Sequence, residues 1–186
     1  MTVKKLISVA CTAALATLSA GAQAQISGGV VKIGVLTDLS GTYSDLAGSG
    51  AVLATKMAVE DFIAKEKPNF KIEVVSADHQ NKADIASNKA REWFEREGVD
   101  TATELVTTSV ALAVMKVAKE KERIALMSGP ASTPITNEQC NDVTVHYTYD
   151  TYALANGTAR AVTKQGGRSW FFLTADYAFG QALEKD

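Results

Sequence analysis

The sequence has 186 residues, with 19 Lys and Arg against 21 Asp and Glu and a formal net charge of −2 at pH 7. This mild acidity, without a basic stripe, argues against a nucleic-acid partner. The two cysteines, Cys11 and Cys140, lie far apart, which excludes a CxxC redox pair and a cysteine-based zinc site.

The N-terminal segment has the pattern of a secretory signal peptide. Lys4 and Lys5 precede an apolar run over residues 6–18, and Ala-Gln-Ala at 22–24 supplies the small-x-small pattern of a cleavage site. The run is shorter than the ~20 residues that a membrane-spanning helix needs. We therefore predict a signal peptide over residues 1–24, a mature chain that begins at Gln25, and export from the cytoplasm.

Six short apolar runs rich in β-branched or aromatic residues predict strands, and helical patterns separate most of them. Several runs are nearly continuous rather than alternating, which is typical of strands covered on both faces. Between strands, apolar residues recur at helical spacing, as at Val110, Val114 and Val117. This alternation predicts βαβ units, right-handed crossovers and a Rossmann-like parallel sheet, so the fold class is α/β. The predicted strands cover residues 30–36, 70–75, 103–106, 124–127, 143–147 and 170–173.

A glycine pair precedes the first predicted helix. Gly48 and Gly50 invite a dinucleotide-binding interpretation, but Leu53 occupies the place of the third glycine that this fingerprint needs. The preceding loop is also too long for the tight first turn of such a site, and no Walker loop occurs. The pair therefore predicts a flexible helix entry, and no cofactor is expected.

The sequence offers little for a hydrolase or a metal site. No GxSxG elbow occurs, and the only histidines are His79 and His146. His79 follows a predicted strand, where it can reach a cleft or be solvated, and His146 lies within a strand as a structural residue. Two isolated histidines make neither a metal site nor a catalytic triad, so we predict a protein that is not an enzyme and holds no metal.

Three strand-to-helix junctions are rich in hydroxyl groups. They are the loop over residues 39–47, the stretch 107–109 and the loop over residues 128–134. Hydroxyls commonly cap helices, and Ser109 or Thr108 can cap the helix that follows the second junction. However, open α/β sheets bind ligands at the carboxyl ends of their strands, where all three junctions lie. Together they predict a small-ligand site, and the unpaired amides of a helix start favour a carboxylate.

The last residues, 181–186, read as the opening turns of a helix without a cap, a breaker or a polar tail. A barely nucleated helix is a poor end for a domain, because helix formation is cooperative. We therefore expect the sequence to be a fragment of a longer protein.

Taken in order, four stretches resemble the periplasmic substrate-binding proteins of branched-chain amino acid-type ABC transporters, which have the type I periplasmic binding fold. Their order and spacing are more specific than any one of them, and they cover essentially the whole mature chain. The stretches are "KIGVLTDLSGTYSDLAG" (32–48), "VVSADHQNKAD" (74–84), "TTSVALAVMKVAKEKERIALMSGPASTPIT" (107–136) and "YDTYALANGTARAVTKQGGRSWFFLTADYAFGQALEKD" (149–186).

The resemblance implies two α/β lobes joined by a hinge, with residues 25–148 as the first lobe and 149–186 as the start of a truncated second lobe. It implies a monomeric, periplasmic solute-binding component of an ABC importer. Such a protein closes its lobes around a small carboxylate-bearing solute and delivers it to a permease in the inner membrane. Two alternatives stay open at this point: a periplasmic ligand-sensing module of a receptor, and an exported enzyme whose catalytic groups lie outside this sequence.

The resemblance also implies which residues touch the ligand. Its carboxylate is held by Ser109, by the main chain of Val110, and by the loop that contains Ala131 and Ser132. Phe179 stands where the family often has tyrosine, and Tyr177 can supply the missing hydroxyl. The acid that binds the amine of amino-acid ligands would lie beyond residue 186, which leaves an amino acid and an aromatic or aliphatic acid equally open. The remaining implied ligand-binding residues are Tyr43 and Leu46 in the first loop and Asp150 and Tyr152 near the hinge.

Overall fold

The computed structural model describes residues 26–186, and the signal-peptide prediction for residues 1–24 lies outside this part of the chain. Strands and helices alternate along most of it, which confirms the predicted α/β class. The strands are β1 (Val30–Thr37), β2 (Lys71–Asp78), β3 (Thr101–Glu104), β4 (Ile124–Met127) and β5 (Thr144–His146). The helices are α1 (Gly48–Glu66), α2 (Ala83–Glu92), α3 (Thr108–Glu120), α4 (Thr151–Lys164) and α5 (Ala178–Lys185). Short helical turns cover Ser27–Gly29, Trp93–Glu97 and Thr133–Ile135.

The five strands form one parallel sheet in the order β2-β1-β3-β4-β5. In this register Ile33 of β1 pairs with Val74 of β2 on one side and with Thr101 of β3 on the other. The chain first steps from β1 to β2 at the edge of the sheet and then crosses to the far side of β1. With right-handed crossovers, the helices that follow β1 and β2 lie on opposite faces of the sheet.

The hydrophobic core lies between the sheet and the pair of helices α2 and α3. Trp93, directly after α2, is 1% exposed and packs on β1. A Cβ at Gly34 of β1 would lie 2.5 Å from the Trp93 ring, so only glycine lets the indole sit against the strand. The side of α3 that faces α2 and the sheet contributes Val110, Val114 and Val117, which confirms the predicted helical spacing.

The opposite face of the sheet is covered only in part. Helix α1 contacts β1 and β2, yet Met57 and Phe62 on it remain 55% and 42% exposed. On β4, Ile124 and Leu126 are 49% and 38% exposed, whereas Ala125 and Met127, which point to the other face, are fully buried. The prediction of strands covered on both faces is therefore wrong for β4, because in the described part of the chain α1 does not extend over it.

No helix in residues 26–186 is long and apolar enough to cross a membrane.

The sixth predicted strand, residues 170–173, does not form. A strand requires a neighbour that completes its ladder of hydrogen bonds. None of the five described strands lies beside this segment, which joins α4 to α5. Phe171 and Leu173 are 91% and 94% exposed as a result. The apolar pattern identified a segment suited to a sheet, but not the partner that it needs.

Candidate functional site

The strand order creates a crevice at the carboxyl edge of the sheet. The connections after β1 and β3 leave these neighbouring strands toward opposite faces, which makes the gap between them a topological switch point. Ligands of open α/β sheets bind at such points. The three hydroxyl-rich junctions follow β1, β3 and β4 and therefore share this edge.

The carboxylate of Asp38 organises the loop over residues 39–47. Asp38 is fully buried directly after β1, and its two oxygens accept the backbone N–H groups of Gly41 at 2.7 Å and Tyr43 at 2.9 Å. These two hydrogen bonds supply the buried carboxylate with donors, and they also fix the conformation of the loop. Tyr43 is half-buried as a result, whereas Leu46 is 76% exposed. The backbone of Tyr43 is thus held in place by Asp38, whereas the side chain of Leu46 lies in solvent.

A second carboxylate, Asp78 at the end of β2, holds the start of the same loop. It accepts the N–H of Leu39 at 2.9 Å and the hydroxyl of Ser40 at 2.6 Å. Partial burial raises the pKa of Asp78, but the bonds from Ser40, Leu39 and Gln80 outweigh it and keep that pKa below its ordinary value. The loop is therefore anchored at two neighbouring strand ends.

Helix α3 begins without a side-chain cap. Its N-cap residue is Thr107, whose hydroxyl donates to Asn81 at 2.9 Å instead of accepting from the helix. The prediction that Ser109 or Thr108 caps this helix is wrong, because both lie inside its first turn. The backbone N–H groups of Thr108, Ser109 and Val110 have no intrahelical acceptor, since the first helical bond runs from Ala111 to Thr107. Three donors thus remain at a helix start, where an anion is favoured.

Ser132 lies against this helix start, as the resemblance implies. The hydroxyl of Thr108 donates to Ser132 Oγ at 2.9 Å, and both residues are buried. Because Thr108 supplies the proton of that bond, the proton of Ser132 remains available to a further acceptor. Ala131 is 6% exposed beside it, and Ser109 is half-buried. The structure therefore brings four predicted residues together where the loop after β4 meets the start of α3. They are Ser109, Val110, Ala131 and Ser132.

Glu104, at the end of β3, contacts the two loops that lead to these residues, through Val106 and Gly129, and the sequence pattern did not single it out. The strand ends at Glu104 rather than at 106 because Glu104 and Leu105 adopt left-handed φ angles of 83° and 59°. Glu104 is 4% exposed, and its carboxyl group accepts the N–H of Val106 at 3.0 Å. Burial raises the pKa of Glu104 to about 7, against hydrogen bonds from Thr37 and from the Val106 N–H that lower it, and the charge of Asp38 adds a smaller upward contribution. The one signal in the sequence was an acid within an apolar strand, "TATELV".

His79 is neither solvated nor in the open cleft. It is fully buried after β2, and its Nδ1 accepts the backbone N–H of Asn81 at 3.0 Å. Burial lowers the pKa of His79 and outweighs the carboxylates of Asp38 and Asp78, which raise it. His79 is therefore a neutral residue that holds the turn containing Asn81. His146 is structural as predicted, with its Nε2 2.7 Å from the carbonyl oxygen of Pro130.

Residues after β5 reach the same edge through Tyr177. Its hydroxyl forms a hydrogen bond with the hydroxyl of Tyr43, and its ring stacks on Phe179 with centroids 6.4 Å apart. Burial, together with Tyr43, raises the pKa of Tyr177 to about 12. The contact brings together two predicted residues that are 134 positions apart in the sequence.

The two predicted residues near the hinge have other surroundings. Asp150 is the N-cap of α4, and its carboxylate accepts the N–H of Ala153 at 2.8 Å. Tyr152, in the first turn of α4, is 55% exposed. Asp150 thus has a structural partner, and Tyr152 is not brought to Ser109 and Ser132 by any described contact.

A hydroxyl pair at the β4 loop already holds a carboxylate of the chain. The hydroxyl groups of Thr133 and Thr151 lie 2.6 Å apart, and that of Thr151 donates to Asp186 Oδ2 at 2.6 Å. Thr133 donates to the same oxygen. These bonds tie the loop after β4 to the first turn of α4 and the end of α5.

An apolar groove of about 890 Å³ lies between α4, the segment 170–173 and α5, and Asp186 is among the residues that line it. Tyr177 and Phe179 border it, but none of the residues at the start of α3 does. Its walls are mostly aromatic and aliphatic, which is the surface that the unformed sixth strand leaves open.

Comparison with known proteins extends these observations. A family profile described as "Periplasmic binding protein" matches residues 30–186. A search of curated proteins found no match. Among solved structures, a periplasmic binding protein from Burkholderia mallei is 55% identical, with a TM-score of 0.80 over 86% of this chain and 42% of that one.

Two further structures share the fold. A branched-chain amino acid ABC transporter periplasmic ligand-binding protein from Burkholderia xenovorans is 35% identical, with a TM-score of 0.71 over 83% of this chain and 41% of that one. A solute-binding protein from Rhodopseudomonas palustris, in complex with 4-hydroxybenzoate, is 22% identical, with a TM-score of 0.71 over 84% of this chain and 42% of that one. The chain spans less than half the length of these proteins. It belongs to the periplasmic binding protein family, in the branched-chain amino acid ABC transporter type, which is a family of solute-binding proteins and not of enzymes.

Proposed function

We propose that this protein binds a small carboxylate-bearing solute at the carboxyl edge of the sheet and delivers it, in the periplasm, to the permease of an ABC importer. Residues 25–148 form the first lobe of the binding cleft, and residues 149–186 begin the second. The solute is an amino acid or an aromatic or aliphatic acid. Its carboxylate is bound by the first-turn amides of α3 and by the hydroxyls of Ser109 and Ser132.

The observation that carries this proposal is the donor set at the start of α3. Three backbone N–H groups without intrahelical acceptors lie beside the Ser132 hydroxyl, whose proton is not used by Thr108. A carboxylate is an acceptor-only group of matching size. Donors fixed by a helix and by a buried hydroxyl pair need little reorganisation when the anion arrives, which favours binding.

Two relatives support the class of solute. The R. palustris protein was crystallised with 4-hydroxybenzoate, and the B. xenovorans protein is described as belonging to a branched-chain amino acid transporter. Both ligand types carry a carboxylate and an apolar body. Tyr43, Tyr177 and Phe179 are the aromatic residues that we expect to contact such a body when two lobes close around it.

Replacing Ser109 by phenylalanine tests the position of the carboxylate. The larger side chain fills the space before the first turn of α3, so we expect the full-length protein to bind its preferred carboxylate about 100-fold more weakly, or about 2.7 kcal/mol. Calorimetric titration with 4-hydroxybenzoate and with leucine measures the change. Ser49→Phe is the matched control, because Ser49 is an exposed serine in the first turn of α1. Unchanged affinity of S109F would remove Ser109 from the site.

A further inference from the structure

We propose that Glu104 joins the two loops that hold the ligand carboxylate and that it takes up a proton when the anion binds. The inference rests on the proposed function, because it concerns the same carboxylate site. It assigns to Glu104 the role of a positioning residue, which acts on the ligand through the loops and through its own charge. Ligand binding is then linked to pH.

The side chain of Glu104 lies between the β3–α3 loop and the loop after β4. One oxygen accepts the N–H of Val106 at 3.0 Å. The other faces Gly129 so closely that a Cβ there would lie 2.5 Å from it. The backbone of Gly129 also donates to the carbonyl oxygen of Glu104 at 3.3 Å. Val106 precedes the start of α3, and Gly129 precedes Ser132, so one carboxyl group sets the spacing of both ligand loops.

The backbone at this point is held in a strained form. Glu104 and Leu105 are consecutive non-glycine residues with φ angles of 83° and 59°, a region that side chains disfavour. Such conformations persist only where surrounding contacts impose them, and they concentrate at ligand-binding segments. The bond between Glu104 and Val106 closes directly over this turn, which gives the carboxyl group a part in holding it.

No cation neutralises this carboxyl group within the described residues. None of their ion pairs includes Glu104 or Asp38. The charged group that faces it from β1 is Asp38, and from the end of β2 the neutral His79 lies beside Asp38. The loop after β4 presents Gly129, and the first turn of α3 carries no acid. A buried carboxyl group next to a second acid and without a cation favours its protonated form.

A partner for the proton is already in place. The Thr37 hydroxyl is fully buried beside the Glu104 carboxyl group, and hydrogen bonding from this hydroxyl lowers the pKa of Glu104, although burial outweighs it. A hydroxyl group can donate to an ionised carboxylate or accept from a protonated carboxyl group, so Thr37 can pair with Glu104 in both states. The pKa of about 7 leaves both forms of Glu104 populated at neutral pH, so a nearby anion can shift the balance.

A bound carboxylate adds a further negative charge to a buried site that already contains Asp38 and Glu104. The arrangement is more favourable when Glu104 accepts a proton from solvent, because like charges raise the pKa of a carboxyl group. Affinity for an anionic ligand should therefore be highest below pH 7 and fall as pH rises above it. Simple carboxylic acids are ionised throughout this range, so the ligand itself does not titrate.

Calorimetry of the full-length protein tests this linkage. 4-Hydroxybenzoate and leucine are titrated at pH 6, 7 and 8 in two buffers with different ionisation enthalpies, which reports the protons taken up. We expect a fraction of one proton at pH 7, and affinity about tenfold weaker at pH 8 than at pH 6. Glu104→Gln should still bind, with no proton uptake from this residue and no pH dependence. Glu60→Gln, an exposed change on α1, should behave as wild type.

Infrared difference spectra of wild-type protein labelled with 13C-glutamate provide the second measurement. A protonated-carboxyl band from glutamate should grow when ligand is added at pH 7, even if Glu104→Gln does not fold. Binding without proton uptake and without this band would overturn the inference alone. Failure of both probes to bind at every pH would overturn the proposed function, and the inference with it.

Discussion

Replacing Gly129 by alanine is expected to destabilise the protein by about 2–3 kcal/mol, in the range for overpacking a closely packed position. An added Cβ would lie 2.5 Å from Glu104 Oε1 and 2.7 Å from Val106 Cα. The Val106 contact is with backbone, so no rotamer change can relieve it. The two ligand loops must then move apart, and we expect carboxylate affinity to fall at least about tenfold, since a displacement of about 1 Å disrupts a preorganised site.

Urea unfolding measures the stability change, and Gly157→Ala is the matched control. Gly157 lies within α4, and a Cβ there meets nothing within 4 Å. That change should stabilise the helix by about 0.5–1 kcal/mol. If Gly129→Ala is as stable as wild type and binds equally well, the two loops are not held together by close contact at Glu104.

Wild-type protein is expected to lose stability relative to Glu104→Gln as pH rises from 5 to 8.5. The folded pKa of Glu104 is about 7 against an ordinary value of 4.5, so the folded state binds the proton more tightly than the unfolded state. This stabilisation is fully present below the unfolded pKa and is lost as pH rises through the folded pKa. Between pH 5 and 8.5, the free energy of unfolding of wild type is therefore expected to fall by about 2–3 kcal/mol relative to that of Glu104→Gln.

Urea unfolding of both proteins at intervals across this pH range gives the comparison. The difference in free energy of unfolding between wild type and Glu104→Gln should shrink or reverse toward high pH. Glu60→Gln again serves as the control, because it makes the same chemical change at an exposed position on α1. A difference that stays constant from pH 5 to 8.5 would mean that Glu104 does not titrate in this window.

The parallel sheet could be predicted from the sequence because two periodicities alternate along it. Continuous runs such as 124–127 became strands, and the spacing of Val110, Val114 and Val117 became the buried side of α3. Residues 170–173 have the same composition but did not form a strand. Composition shows that a segment suits a sheet, whereas pairing depends on a neighbour that local sequence does not specify.

The candidate site could be predicted at the level of loops but not of atoms. Ser109 and Ser132 come together because both follow strands at the same edge of the sheet. The cap of α3 was mispredicted, because Thr107 binds Asn81, a residue 26 positions away. The importance of Glu104 depends on its burial and on a left-handed backbone, neither of which the letter E reveals.

We propose that the start of α3 and the Ser132 loop bind the carboxylate of the ligand. Calorimetric titration of the full-length protein with matched pairs of ligands measures this: 4-hydroxybenzoate against 4-hydroxybenzamide, and leucine against leucinamide. We expect one acid to bind and its amide to bind about 100-fold more weakly, because the amide replaces an acceptor oxygen by a donor. Equal binding of an acid and its amide, or no binding of either acid, would contradict it.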